Sequence, residues 1–221
     1  MAPMPNSLPT NIILIRHGET AWNAVRRLQG YIDIGLNEHG ARQARALGRA
    51  LAATRLDAII ASDLQRAWQT AEAIAEGRGM AVQQDPALRE RCYGGFEGLL
   101  YADIEAAYPT EFAAWQARDI DALMPPGERK AESFRQFYTR SLAAIKGWAG
   151  RYPGATIAIV AHGGVLECAY RAALNLALDT PRDFPVLNAS INHFSMTGDT
   201  LALHGWGEVA HLAPAALDDL P

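Results

Sequence analysis

Two short runs of this 221-residue sequence place a histidine directly behind a stretch of apolar residues. The first is "LIRHG", Leu14 to Gly18, and the second is "VAHGG", Val160 to Gly164. Between them "SDLQR", Ser62 to Arg66, follows a third apolar run and ends in an arginine. Two imidazoles, His17 and His162, and two guanidiniums, Arg16 and Arg66, would make a site for something small and doubly negative. A phosphate monoester fits that description. Imidazole can attack phosphorus without first losing a proton, so a histidine in this company is suited to be a nucleophile. Arg66 falls in the first turn of a predicted helix, where the dipole disfavours a cation by some tenths of a kcal/mol. Its place is easier to understand with a bound anion, which a helix N-terminus attracts.

Each of these residues has a plainer reading when taken alone. A single histidine after a strand is more often a hydrogen-bonded structural group, and a single arginine is usually a solvated one. Their recurrence behind three separate apolar runs favours a shared site. The glycines after the histidines fit either close approach of backbone to a ligand or ordinary turn geometry.

The elements that must position these groups alternate in type. Asn11 to Ile15 ("NIILI") reads as a strand buried on both faces, of the kind found in parallel sheets. Asn37 is an expected N-cap, followed by a helix whose Ala44, Leu47 and Leu51 share a face. "LDAIIAS", Leu56 to Ser62, is a second buried strand. A helix follows, marked by Leu64, Ala67, Trp68, Ala71 and Ile74, with Gly77 and Gly79 near its end. A third strand is expected near Met80 to Asp85. From about 101 to 152 two helical patterns flank "MPPGERKAES", whose prolines and glycine break any helix, and the segment reads as a helical insertion over the active site. "TIAIVAHGG" returns to the strand pattern and "VLECAYRAALN" continues as a helix. The segment Thr197-Gly198-Asp199-Thr200 predicts a hairpin. The fold class expected is therefore α/β: a three-layer sandwich with a mostly parallel central sheet and helices on both faces. Ligands in such sheets bind beyond the carboxyl ends of the strands, where the histidines and arginines fall.

Length and composition predict a single domain over 1–221, with a loose tail over 1–10 that has no signal-peptide pattern. The net charge of -4 gives no bulk attraction to nucleic acid or an anionic membrane, so any bound anion must be held by local arginines. No apolar run approaches the length of a membrane helix. Two cysteines, Cys92 and Cys168, are too few for a disulfide framework, and the expected compartment is the cytoplasm. The expected partner is a small phosphorylated metabolite, with no nucleic acid and no membrane, and a homodimer is compatible with the sequence. Nucleophile-elbow, zinc-protease, phosphate-loop and dinucleotide motifs do not occur. His39, His193, His204 and His211 have no metal-ligand spacing, and no metal is expected.

Four ordered segments, "LIRHGETAWN", "SDLQRAWQTAEAIA", "LRERCYGGFEG" and "IVAHGG", resemble the histidine phosphatase superfamily, in the branch that holds phosphatases and cofactor-dependent phosphoglycerate mutases. The resemblance runs from about Asn11 to Leu212 and implies a phosphoglycerate mutase-like sandwich. It implies that His17 becomes a phosphohistidine and that Arg16, Arg66 and His162 hold the phosphoryl oxygens, with Asn23 and Gly163 beside them. Glu90 matches the proton donor to the leaving oxygen, and Gln29 and Gly30 match a substrate-contacting segment at the pocket mouth. A free glutamate is almost fully ionised at neutral pH, so this role requires its pKa raised by about two, roughly 3 kcal/mol of differential interaction. Burial or a neighbouring phosphate dianion would supply that. Surface pairing of Glu90 with Arg89 or Arg91 is the structural alternative.

The same resemblance leaves the fate of the phosphoryl group open. "ERCYGGFEGL" is similar to the mutases, but they carry a lysine where this chain has Tyr101 and an arginine pair where it reads "FAAWQARD". The phosphatase segment P-x-G-E-S is here stretched to "PPGERKAES", and Gly35 stands where a proline is common. The expected function is metal-independent hydrolysis of a small phosphomonoester through phosphohistidine. A 2,3-bisphosphoglycerate-dependent phosphoglycerate mutase is the alternative, and only that alternative needs a cofactor, the bisphosphoglycerate primer. A catalytically silent phosphoester-binding protein is a third reading, opposed by the intact His17, Glu90 and His162.

Overall fold

The run "NIILI" becomes β1 (Thr10–Arg16), and it lies inside a six-stranded sheet. The structure, a computed structural model, describes residues 8–212. Its other strands are β2 (Ala58–Ala61), β3 (Val82–Gln84), β4 (Thr156–Ala161), β5 (Ile191–Thr197) and β6 (Thr200–Glu208), in the spatial order β3-β2-β4-β1-β5-β6. Strands β3, β2, β4 and β1 run parallel, while β5 is antiparallel to both β1 and β6. The expected hairpin closes with Thr197 opposite Thr200 and Gly198 at φ 56°, a left-handed conformation that favours glycine.

β2 and the central residues of β1 and β4 are apolar at consecutive positions because both faces are covered. Ile12 and Leu14 of β1 point into one core with Ile157 and Ile159 of β4. Ile13 and Ile15 point into the opposite core with Ala158 and Val160. The second core is closed by α2 (Glu38–Ala50) and α3 (Gln65–Ala75) through Leu47, Ala67, Ala71 and Ile74. Asn37 caps α2 as expected, its side chain accepting from the Gly40 N–H at 2.7 Å. The first core is closed by α6 (Phe134–Arg151) and α7 (Gly163–Leu174). Three further helices are short: α1 (Ala21–Ala24), α4 (Tyr101–Ala107) and α5 (Pro109–Gln116). Among the described residues no helix is long and apolar enough to cross a membrane.

Two boundaries differ from those read in the sequence. The tail expected over 1–10 ends earlier, since Thr10 is buried in β1 and its hydroxyl donates to the carbonyls of Ala149 and Tyr152. The rest of that tail, 1–7, lies outside the described residues. The insertion expected over 101–152 is also shorter. Phe137, Ile145, Trp148 and Ala149 of α6 are core residues beneath the sheet, so α6 belongs to the sandwich. Helical periodicity shows that a helix has an apolar face, not which layer that face covers. Only α4, α5 and the loop up to Ser133 lie outside the two main cores, around a small cluster of Leu28, Phe96, Ile104, Met124 and Ala131. The chain breaks between α4 and α5 at Tyr108-Pro109, giving two helices where one pattern was expected.

Candidate active site

Register brings the two histidines together. Arg16 at the end of β1 stands opposite Ala161 at the end of β4, so His17 and His162 are the next residues on adjacent parallel strands. Their ring centroids are 5.2 Å apart. His17 Nδ1 lies 2.7 Å from the carbonyl of Gly18, which can only accept, so Nδ1 carries the proton and Nε2 keeps its lone pair. Burial holds the His17 pKa well below its usual value, reinforced by the charges of Arg66 and Arg16. His162 is fully buried and shifted in the same direction, again by burial first and then by Arg66 and His17. Neither of its ring nitrogens has a hydrogen-bond partner among the described residues. Buried polar atoms are normally paired, and two vacant imidazole nitrogens at a strand end mark a place for a ligand oxygen.

Arg66, in the first turn of α3, is 1% exposed. It donates to the carbonyls of Gly30 at 2.8 Å and Ile32 at 3.0 Å, while its Nε is buried and unpartnered. Burial lowers its pKa to about 10, so it stays charged at neutral pH. Among the described residues it forms no ion pair, and although the Glu90 carboxyl lines the same cavity, the two do not bond, so the buried guanidinium is suited to an anion from outside. Arg16 is equally buried and reaches the carbonyl of Val186. Thr20 organises the facing loop, where its backbone N–H donates to Asn23 Oδ1 at 3.1 Å and its hydroxyl to Gln29 Oε1 at 2.9 Å. With their oxygens so engaged, both amides have their NH2 donors left over for the cavity.

Glu90 does not pair with its neighbours at the surface. Arg89 instead forms a forked pair with Asp63, at 2.7 and 2.5 Å, and Arg91 donates its Nε to the carbonyl of Glu132. The Glu90 carboxylate accepts the backbone N–H of Arg91 at 2.8 Å and of Gly164 at 3.0 Å. Burial raises its pKa despite these two donors and the charges of Arg66 and Arg16, which is the direction that proton donation requires.

Gly18 and Gly164 serve packing. A Cβ on Gly18 would lie 2.6 Å from the carbonyl oxygen of Gly40, and one on Gly164 would lie 2.2 Å from Glu90 Oε1. Gly164 thus leaves room for the carboxylate of Glu90.

Arg16, His17, Asn23, Gln29, Gly30, Arg66, Glu90 and Gly163 line one cavity of about 50 Å³, with His162 behind His17. The residues expected to carry the chemistry therefore come together at one place, with His162 one layer behind the lining. The sequence reading missed further walls of this cavity, among them Trp22, Arg26, Arg27 and Tyr93. The adjacent arginines of "VRRLQG", between Asn23 and Gln29, were the available signal. Tyr101 also lines it and stacks on Trp115 at 5.5 Å. Beside it a wider cavity of about 360 Å³ is lined by Tyr93, Tyr101, Trp115, Arg118, Glu167 and Arg182. Arg118 donates to Glu167 at 2.5 Å, and Arg171 holds the same carboxylate at 2.9 Å. The exposed Arg129 and Lys130 of the stretched loop line neither cavity.

An α/β sandwich with an unprotonated imidazole nitrogen in a cradle of buried guanidiniums, and a buried carboxyl beside it, defines a histidine-type phosphoric monoester hydrolase. The comparisons agree. The model of the histidine phosphatase superfamily (branch 1) matches residues 12–209. The chain is 35% identical over 204 residues to phosphoglycerate mutase-like protein 4 of Arabidopsis thaliana, covering 91% of this chain and 86% of that protein. It is 35% identical over 206 residues to the metal-independent phosphoserine phosphatase of the same plant, covering 92% and 84%. The solved structure of Bacillus stearothermophilus YhfR superposes with a TM-score of 0.84 at 36% identity, covering 91% of this chain and 98% of that one. The chain belongs to the histidine phosphatase superfamily, branch 1.

Proposed function

We propose that the protein hydrolyses a small phosphomonoester through a phosphohistidine at His17, without a metal ion. The observation that carries this is His17 itself: Nδ1–H is fixed on the Gly18 carbonyl, and Nε2 is left unprotonated beside two buried guanidiniums. Arg16, Arg66, His162, Asn23 and the first turn of α7 at Gly163 receive the phosphoryl oxygens. Their positive charge and N–H dipoles stabilise the charge that builds up in the transition state. Nε2 forms the N–P bond as the ester P–O bond breaks, and the electron pair goes to the leaving oxygen. Glu90 donates its proton to that oxygen. Water then attacks phosphorus, the N–P bond breaks, and the Glu90 carboxylate takes the proton of the water, which resets both groups.

With Gln29 and Gly30 contacting the substrate on the phosphate side, the leaving group reaches past Tyr93 and Tyr101, which line both cavities, into the wider one. Its Arg118, Glu167 and Arg182 suit a leaving group with charged groups of its own, and phosphoserine, after which one relative is named, is the first candidate. The mutase reading has a named relative as well, but the cavity wall at Tyr101 is an aromatic stack and not a cation. We place the reaction in the cytoplasm.

A panel of phosphomonoesters that includes phosphoserine, with phosphate release as readout, tests this reading beside a coupled mutase assay with 2,3-bisphosphoglycerate. Phosphate release that persists in a chelator, with no primer-dependent interconversion of phosphoglycerates, is expected. Primer-dependent isomerisation outrunning hydrolysis would replace the reading with the mutase.

A further inference from the structure

The "ES" that ends the stretched loop has no part in the steps above. Ser133 caps α6 in a capping box with Gln136. Glu132 faces Arg140 on α6, and their side chains are about one-fifth exposed (20% and 21%). All five N–H donors of Arg140 are taken. Nε donates to Glu132 Oε1 at 2.8 Å, and Nη2 donates to Glu132 Oε2 at 2.7 Å and to the carbonyl of Glu90 at 3.2 Å. Nη1 donates to the carbonyls of Ala87 at 2.9 Å and Arg89 at 3.0 Å. Glu132 Oε2 also accepts the backbone N–H of Cys92 at 3.0 Å, and the Glu132 N–H donates to the Cys92 carbonyl at 2.9 Å.

An ion pair that merely decorated α6 would not need three backbone carbonyls. Those carbonyls and the Cys92 N–H bracket Glu90 on both sides along the chain. The segment from 85 to 100 has only two short 3-10 turns, Pro86–Leu88 and Gly94–Phe96, and no strand or α-helix to hold it. One of the two backbone donors that orient the Glu90 carboxylate, the Arg91 N–H, belongs to the bracketed segment itself. Only a planar fork with five donors can make this set of contacts, and a lysine ammonium cannot.

We infer that Arg140 and Glu132 are a positioning pair that sets the Glu90 carboxyl against the leaving oxygen, which gives the "ES" of the loop a role in proton donation. The inference rests on the reading of Glu90 as the acid. Neither residue lines the phosphate cavity, so the pair acts through Glu90 and not on the substrate. Misplacement of a reacting group by about 1 Å can cost on the order of 10²-fold in rate, so a loosened bracket is enough to be measured.

The test is leaving-group dependence of kcat/KM, which a general loss of structure would not produce. p-Nitrophenolate departs without a proton, whereas the alkoxide of an alkyl phosphate such as glycerol 2-phosphate needs one. Arg140→Gln is expected to lower kcat/KM about 10- to 100-fold on glycerol 2-phosphate and less than about threefold on p-nitrophenyl phosphate, a milder form of the loss in Glu90→Gln. Glu132→Gln shifts the ratio in the same direction, and it carries the test if Arg140→Gln does not fold. Equal losses on both substrates, or no loss on either, beside a selective Glu90→Gln would overturn the positioning role. A Glu90→Gln variant that is itself unselective would overturn the acid reading and this inference with it.

Discussion

A Cβ placed on Gly164 would lie 2.2 Å from Glu90 Oε1, and the backbone N–H of the same glycine donates to Glu90 Oε2 at 3.0 Å. One residue in the first turn of α7 thus both orients the carboxyl and makes room for it, one position beyond Gly163 on the cavity wall and two beyond His162. The acid is anchored to the helix that follows the second histidine.

Gly164→Ala is therefore expected to displace the carboxyl while leaving His17 and the guanidiniums in place. The added methyl also meets Phe137 at 2.8 Å in the core, so overpacking should cost about 1–3 kcal/mol in thermal or denaturant unfolding. Turnover of an alkyl phosphate should fall by at least about tenfold, within the range a general acid contributes. An alanine variant with wild-type turnover would show that Glu90 does not need this place.

The pH dependence follows from the opposite shifts of two buried groups. His17 must be neutral to attack, and burial with Arg66 and Arg16 keeps its pKa well below 6.5, so the acid limb of kcat/KM should lie below pH 6.5. Glu90 must be protonated to donate, and burial raises its pKa above 4.5, so activity should fall on the alkaline side as pH passes that raised value. Glu90→Gln should remove the alkaline limb and leave the acid one. Stability moves with the same groups. The unfolded chain binds protons at His17 and His162 near pH 6.5 and the folded chain does not. Stability is thus complete above that pH and declines as pH falls through it, by up to about 1.4 kcal/mol per pH unit for each histidine. Glu90 works in the other direction between 4.5 and its raised pKa, since there the folded chain holds the extra proton. Unfolding measured across pH 5 to 8 should therefore show a net loss toward acid, and a flat profile would contradict the buried neutral histidines.

How much of this was legible in the sequence depended on whether a residue follows a strand. Arg16, His17, His162 and Arg66 could be found because β1, β4 and β2 are uninterrupted apolar runs, and chain polarity in a parallel sheet fixes where their ends lie. Glu90 lies beyond β3, a three-residue strand with two glutamines and no apolar run to mark its end, so residue patterns alone gave it no place, and it entered only through the resemblance carried by "LRERCYGGFEG". Tyr93, Trp115 and Arg118 were missed because the segment that holds them packs on its own small cluster, where periodicity does not tell which side faces a cavity. The glycines beside the histidines could not be interpreted, since a glycine that accommodates a ligand and one that accommodates Gly40 or Glu90 look the same in a sequence. The layer of α6 was misjudged for a related reason. Its apolar stripe is the same whether it covers the sheet or an insertion.

Trapping the covalent intermediate tests the central claim most directly. Enzyme mixed with an excess of p-nitrophenyl phosphate, stopped in alkali within a turnover and analysed by peptide mass spectrometry should carry phosphate on His17. That phosphate should be stable in base, lost in acid, and absent from His17→Ala, which should also lose turnover. A phosphate on another side chain, or a His17→Ala enzyme that still turns over at near-normal rate, would contradict the account.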